Sequence, residues 1–175
     1  KTGISARALE LTLLTAARSG EVRGATWDEI DLDAAEWNIP EGRMKAARAH
    51  RVPLSDVALA LVKVLPRMAG TNLLFPAPRG GHLSDMTLTA VLRRMKIGVV
   101  PHGFRSTFRE WAGEKTGYPR EVIEHALAHQ LADKAEAAYQ RGSLFLKRVN
   151  LMQDWANVCA TPRTSNVVPF QATAT

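Results

Sequence analysis

Cysteine is nearly absent: Cys159 is the only one in 175 residues, so no disulfide can close within the chain and a reducing, cytosolic setting is expected. Long apolar runs are absent too. The longest, Val57 to Leu65, is broken by Lys63 and falls well short of the roughly 20 residues that cross a bilayer, which points to a soluble protein with no membrane partner. No charged segment followed by an apolar core opens the chain, so no secretion signal is read there. It opens on Lys1 rather than methionine, and upstream domains are expected. Acidic residues are the minority, 17 against 23 Lys and Arg. The resulting net charge of +6 attracts polyanions, nucleic acid first and an anionic membrane second. No internal repeat is found. What is present is 46% hydrophobic residues, enough for the core of one domain.

Periodicity divides the chain into mostly helical stretches. Leu9, Leu11, Leu13, Leu14 and Ala17 predict a largely buried first helix ending near Arg18 and Ser19. Short helical turns follow at 19–24 and 27–30, the second with Thr26 as its cap. Glu36–Pro40, Met44–Ala46 and His50–Leu54 read as a three-stranded antiparallel meander turning at Gly42. Further helices are expected after Ser55, with Val57, Leu61, Val64 and Leu65 inward, after Ser84, from Gly103 to Lys115, after Pro119, and from Ala135 to Arg141. A last helix carries Leu144, Leu146, Val149, Met152 and Trp155. The fold class is mainly α with a small three-stranded antiparallel sheet. Residues 1–160 form the domain. Residues 161–175, rich in Thr, Ala, Pro, Ser and Asn, form a flexible tail in which Asn166 to Phe170 has strand character enough to dock on a sheet edge.

Several residues are candidates for chemistry. His102 and Arg105 stand three apart at a helix start and share a face, so both can address one anion beside the helix N-terminus; alternatively the histidine caps and the arginine makes a surface ion pair. Arg18 emerges from an apolar helix, with Glu21 three residues on to hold its guanidinium. Arg43, Lys45, Arg48 and Arg51 fall within a stretch that holds no acid, a finger for a nucleic-acid backbone or else a solvated charge run. His125 and His129 have the spacing of two metal ligands, but Ala126 stands where a zincin-type glutamate would be and no third ligand is evident, so no metal is assigned. Tyr139 is one of two tyrosines. On a short Ala-rich helix it is ordinarily a packing residue, and its phenol is a poor nucleophile unless cations stabilise the phenolate.

Taken in order, five motifs resemble the tyrosine recombinase family, most closely its phage and genomic-island integrase branch: Ala17-Arg18-Ser19-Gly20-Glu21, Met44-Lys45 with Arg51-Val52-Pro53-Leu54-Ser55, His102-Gly103-Phe104-Arg105, Leu127-Ala128-His129 and Ala138-Tyr139-Gln140-Arg141. The resemblance spans Leu9 to Trp155 and departs only in minor ways, at Ala17 and Gln130. It implies the family's catalytic-domain fold, with upstream DNA-binding domains lying outside this chain. Arg18 and Arg105 become phosphate-clamping arginines, Lys45 the hairpin lysine, His102 and His129 the two histidines, Tyr139 the nucleophile and Glu21 the support of Arg18. Arg43, Arg48 and Arg51 are expected to contact DNA. The implied activity is site-specific recombination of double-stranded DNA at attachment sites in the bacterial cytosol, through a 3′-phosphotyrosyl link and as a homo-tetramer, with no cofactor. Three alternatives remain: a DNA-binding regulator that has kept the fold without the chemistry, a type IB topoisomerase, and a metal-dependent hydrolase built on His125 and His129.

Overall fold

Residues 3–129 and 141–161 are described by a computed structural model, with side chains from Leu144 onward in the second stretch. Its first helix, α1 (Ile4–Thr15), buries Ala8, Leu9, Leu11 and Leu14 together with Thr12 and Thr15. The two threonine hydroxyls satisfy themselves on the carbonyls one turn back, Ala8 at 2.8 Å and Leu11 at 2.6 Å, so the helix can be enclosed on most of its faces. It ends at Thr15, three residues before Arg18, because Ala16, its C-cap, has a left-handed φ of 50°. The chain restarts as α2 (Ser19–Arg23), its first turn closed by the Arg18 N–H donating to Glu21 Oε2 at 2.7 Å.

A one-turn 3₁₀ helix at Trp27–Glu29 leads into the sheet: β1 (Ile30–Asp31), β2 (Glu36–Ile39) and β3 (His50–Pro53), antiparallel in that order. Trp37 pairs with Ile30 on one side and Val52 on the other, and Trp37, Ile39 and Val52 are buried. The sheet has three strands as expected, but not the expected three. Met44–Ala46 is not a strand: after Pro40 the chain makes a 3₁₀ turn at Glu41–Arg43 and then a loop, and β1 takes the third place. Alternation cannot persist there because Met44 is buried while Ala47 has φ 45°.

Helices α3 (Asp56–Lys63), α4 (Thr87–Arg94), α5 (Pro101–Lys115), α6 (Arg120–Ala126) and α7 (Arg141–Ala160) complete the described fold. Ser55 caps α3, accepting from Ala58 N–H. The inward face of α3 is Ala58, Leu61 and Val62, whereas Val57 and Val64 are exposed; in α7 Leu146 and Val149 are exposed and Leu151 takes the inward place. The helix after Ser84 starts two residues late, at Thr87 with Met86 as its cap, and Pro119 precedes α6 as its cap. The predicted helix bearing Tyr139 lies outside the described residues except Arg141, and so does the tail from 162 on. Among the described residues no helix is long and apolar enough to cross a membrane.

Two apolar clusters form the core. One packs α1, the sheet, α3 and α4; the other gathers Phe108, Val122, Leu127, Leu151 and Trp155 from α5, α6 and α7. Trp155 stands edge-on to Phe108 at 5.4 Å and donates to the Leu13 carbonyl at 2.8 Å, fastening α7 to α1. Ala16 belongs to the second cluster and Ala17 to the first, so the turn that presents Arg18 runs along their junction.

Candidate active site

The junction is built around Arg105. Pro101, in the first turn of α5, presets the helical φ, which brings His102 to an exposed position and Arg105, one turn on, inward to 6% exposure. The Arg105 guanidinium donates to the carbonyls of Ala16 and Leu127, the end residues of α1 and α6. Both are helix C-terminal carbonyls that lack an intrahelical donor and carry the negative end of the helix dipole, so they suit a cation. Burial, with the nearby charge of Arg18, lowers Arg105 to about 10, and Glu21 works in the opposite direction; the group still carries its charge at neutral pH.

Arg18 is held by Glu21, whose carboxylate takes the guanidinium at 2.7 Å and the Arg18 backbone N–H at the same distance. Arg18, Glu21, Arg43, Lys45, His102 and Arg105 line one cleft. The predicted pairs His102/Arg105 and Arg18/Glu21 are thus brought together from α5 and α2, and Lys45 joins them, exposed, from the loop between β2 and β3.

His129 reaches the edge of the same constellation. Its Nε2 lies 3.4 Å from Arg105, and its Nδ1 is 2.5 Å from Glu124. Glu124 in turn accepts from Arg109, Nε at 2.8 Å and the terminal nitrogen at 2.7 Å. Burial alone would raise the Glu124 carboxyl, but the hydrogen bonds and charges of His129 and Arg109 hold it below its ordinary value. His129 is aimed by the backbone: Ala128 is left-handed at φ 51° and the His129 N–H returns to the Glu124 carbonyl at 2.9 Å. His125 and His129 therefore do not share a helix face, and no group of three metal-ligating side chains occurs among the described residues.

A second cleft is lined by Arg48, His50, His125, His129, Phe145 and Arg148, and its His129 approaches Arg105 of the first. Burial, reinforced by Arg148, pushes His50 from 6.5 down to about 3, so it is neutral at physiological pH. Arg148 donates to the Arg51 carbonyl at 2.8 Å, tying α7 to β3.

The basic run divides. Arg48 is exposed, and Arg51 is half-exposed, stacked over Phe145 at 4.1 Å and paired with Glu36. Arg43, expected to contact DNA, is turned inward: its guanidinium donates to both oxygens of buried Glu29 and to the Glu21 carbonyl. Sequence reasoning missed this role, and it also missed Glu124, Arg109 and Arg148. A signal existed for Arg109, which stands one turn beyond Arg105 on α5 and so on the same side of the helix. Tyr139 lies outside the described residues, two positions before α7. The other tyrosine, Tyr118, lines a separate cleft. Burial and a 2.6 Å bond to Asp154 push it up to about 12, a poor environment for a nucleophile.

A model of the phage integrase family matches residues 3–143. The prophage integrase IntA of Escherichia coli K12 is 38% identical over 161 residues, covering 89% of this chain and 39% of the relative. The integrase of Enterobacteria phage P4 is 36% identical over 167 residues, covering 85% and 38%. The chain therefore spans about two fifths of the length of these curated relatives. Among solved structures, XerA recombinase superposes with a TM-score of 0.57 at 18% identity, covering 84% of this chain and 60% of that one. The Tn1549 transposon integrase, solved in complex with circular intermediate DNA, gives 0.50 at 15% identity, covering 77% and 57%. At such identities these two structures speak for the fold.

Proposed function

This chain belongs to the phage integrase family, and from that premise we propose that it is the catalytic domain of a tyrosine-type site-specific recombinase acting on double-stranded DNA. The observation that carries the reading is the convergence of Arg18, Lys45, His102 and Arg105 on one cleft, with His129 against Arg105. Two guanidinium groups held by internal partners form a preorganised cradle for a phosphodiester, whose charge grows as it becomes five-coordinate.

In the proposed reaction the Tyr139 phenol oxygen bonds to phosphorus in line with the departing 5′ oxygen, and the P–O5′ bond breaks. His102 accepts the phenolic proton, Lys45 delivers a proton to the 5′ oxygen, and His129, oriented by Glu124, hydrogen-bonds a non-bridging oxygen. The product is a 3′-phosphotyrosyl link and a free 5′ hydroxyl; attack by a partner strand's hydroxyl reverses the step. One phosphodiester replaces another, so the balance requires no ATP. The arginines supply charge stabilisation that other phosphoryl-transfer enzymes take from metal ions, so the reading assigns no metal role. The substrate class is the attachment-site DNA of a mobile element, worked on by a homo-tetramer in the bacterial cytosol with help from domains outside this chain.

The test is to incubate the protein with nicked suicide duplexes from the ends of its element, in EDTA and without nucleotide. An SDS-stable protein–DNA adduct is the expected result. DNA binding with no adduct would favour a non-catalytic regulator, and adduct formation only with divalent cation would remove the metal-free mechanism.

A further inference from the structure

Arg43 ends the 3₁₀ turn Glu41–Arg43, immediately before buried Met44 and two residues before exposed Lys45, and the connection from β2 to β3 has no strand pairing of its own here. Its guanidinium spans two elements, meeting Glu29 at the end of the 3₁₀ helix Trp27–Glu29 and the Glu21 carbonyl in α2. Glu29 is 8% exposed and also accepts from Trp37 Nε1 at 2.9 Å. Gly24 leaves the space for this arrangement: a Cβ there would lie 2.9 Å from one terminal nitrogen of Arg43. Only about a quarter of the Arg43 side chain is exposed, so its charge is committed inside the protein rather than offered to a ligand.

We infer that Arg43 is a positioning residue for Lys45: it pins the loop between β2 and β3 to the same α2 segment that carries Arg18 and Glu21. The ammonium of Lys45 is thereby held at the phosphate cleft. The inference rests on the reading of Lys45 as general acid. A long, hydrated lysine on an unpaired loop loses much rotamer and backbone freedom when it takes up one position, and anchoring the two residues before it removes part of that cost ahead of the reaction. The Glu29–Arg43–Glu21 brace sets where Lys45 starts, and Lys45 moves the proton.

The experiment compares ordinary DNA with DNA whose scissile phosphate carries a 5′-bridging sulfur, using the whole protein. A thiolate leaves without being protonated, because a thiol is far more acidic than an alcohol. Arg43→Lys keeps a cation for Glu29 but cannot reach both partners with a fork. It should slow cleavage of ordinary DNA by about 10- to 100-fold, within the range of a misplaced general acid, and leave the sulfur substrate within about two-fold of the unaltered protein. Gly24→Ala, which changes no charge, should show the same pattern more mildly. DNA affinity should be unchanged in both. Lys45→Ala is the reference and should itself be rescued by sulfur. If it is not, the general-acid reading fails and the inference fails with it. If Lys45→Ala is rescued but Arg43→Lys is slow on both substrates, or normal on both, only the inference is overturned.

Discussion

Arg105 does two jobs at once: it is the cation of the cleft, and it ties the ends of α1 and α6 together through the Ala16 and Leu127 carbonyls. Arg105→Ala should therefore lower the rate of adduct formation by about 10²–10³-fold, as for loss of a transition-state donor, and also lower stability because two buried carbonyls lose their donor. Single-turnover cleavage together with urea unfolding separates the two effects, and cleavage at the unaltered rate would refute the assigned role. His50 gives a prediction in pH. Its folded-state value of about 3 lies below the ordinary 6.5, so the unfolded chain takes up a proton that the folded chain refuses. The stability from neutral His50 is complete above pH 6.5 and is lost as the pH falls from there toward 3, by at most about 1.4 kcal/mol per pH unit. His50→Gln should flatten that part of the stability profile, as measured by denaturant unfolding at a series of pH values. Among these residues, His102 with Arg105 and Arg18 with Glu21 were legible because each pair stands three apart in sequence where a helix begins. Arg43 was not, because Glu29 and Glu21 approach it from 14 and 22 residues earlier in the chain.

Among the elements, the site depends on turns more than on helices. Four of the five non-glycine residues with positive φ among those described are alanines, at 16, 35, 47 and 128. Ala16 ends α1 ahead of Arg18, Ala47 lies just after Lys45, and Ala128 turns the chain to His129. Alanine carries no signal for a left-handed turn. Periodicity therefore carries the first helix three residues too far, sets His125 and His129 on one helix, and reads Met44–Ala46 as a strand. The strands Glu36–Ile39 and His50–Pro53 were readable because Trp37, Ile39 and Val52 obey the simple alternation of a strand. The left-handed backbone at Ala128 predicts that Ala128→Val costs about 1–2 kcal/mol, since a β-branched side chain clashes there, whereas Ala128→Gly stays within about 1 kcal/mol of the unaltered protein. Chemical denaturation checks both. Equal stability of the valine and glycine variants would mean that this turn does not aim His129.

For the molecule as a whole, a net charge of +6 is spread unevenly in function: some arginines build the fold and others remain for a polyanion. Arg43 is paired internally, Arg105 holds two buried carbonyls while lining the first cleft, and Arg48 is exposed beside the second cleft. DNA affinity should fall steeply with salt, and Arg48→Ala should reduce the slope of log affinity against log salt by about 1, one phosphate contact, while Arg43→Lys leaves it alone. Anisotropy titrations across a salt series decide this, and equal slopes for Arg48→Ala and the unaltered protein would remove Arg48 from the interface. The central claim is that the cleft of Arg18, Lys45, His102 and Arg105 serves a phosphotyrosyl bond made by Tyr139. Its most direct test is to trap the covalent adduct on a suicide duplex, digest it, and map the nucleotide-bearing peptide by mass spectrometry. The account predicts a 3′-linked nucleotide on Tyr139 and no adduct from Tyr139→Phe; a nucleotide on Tyr118, or an adduct that survives Tyr139→Phe, would contradict it.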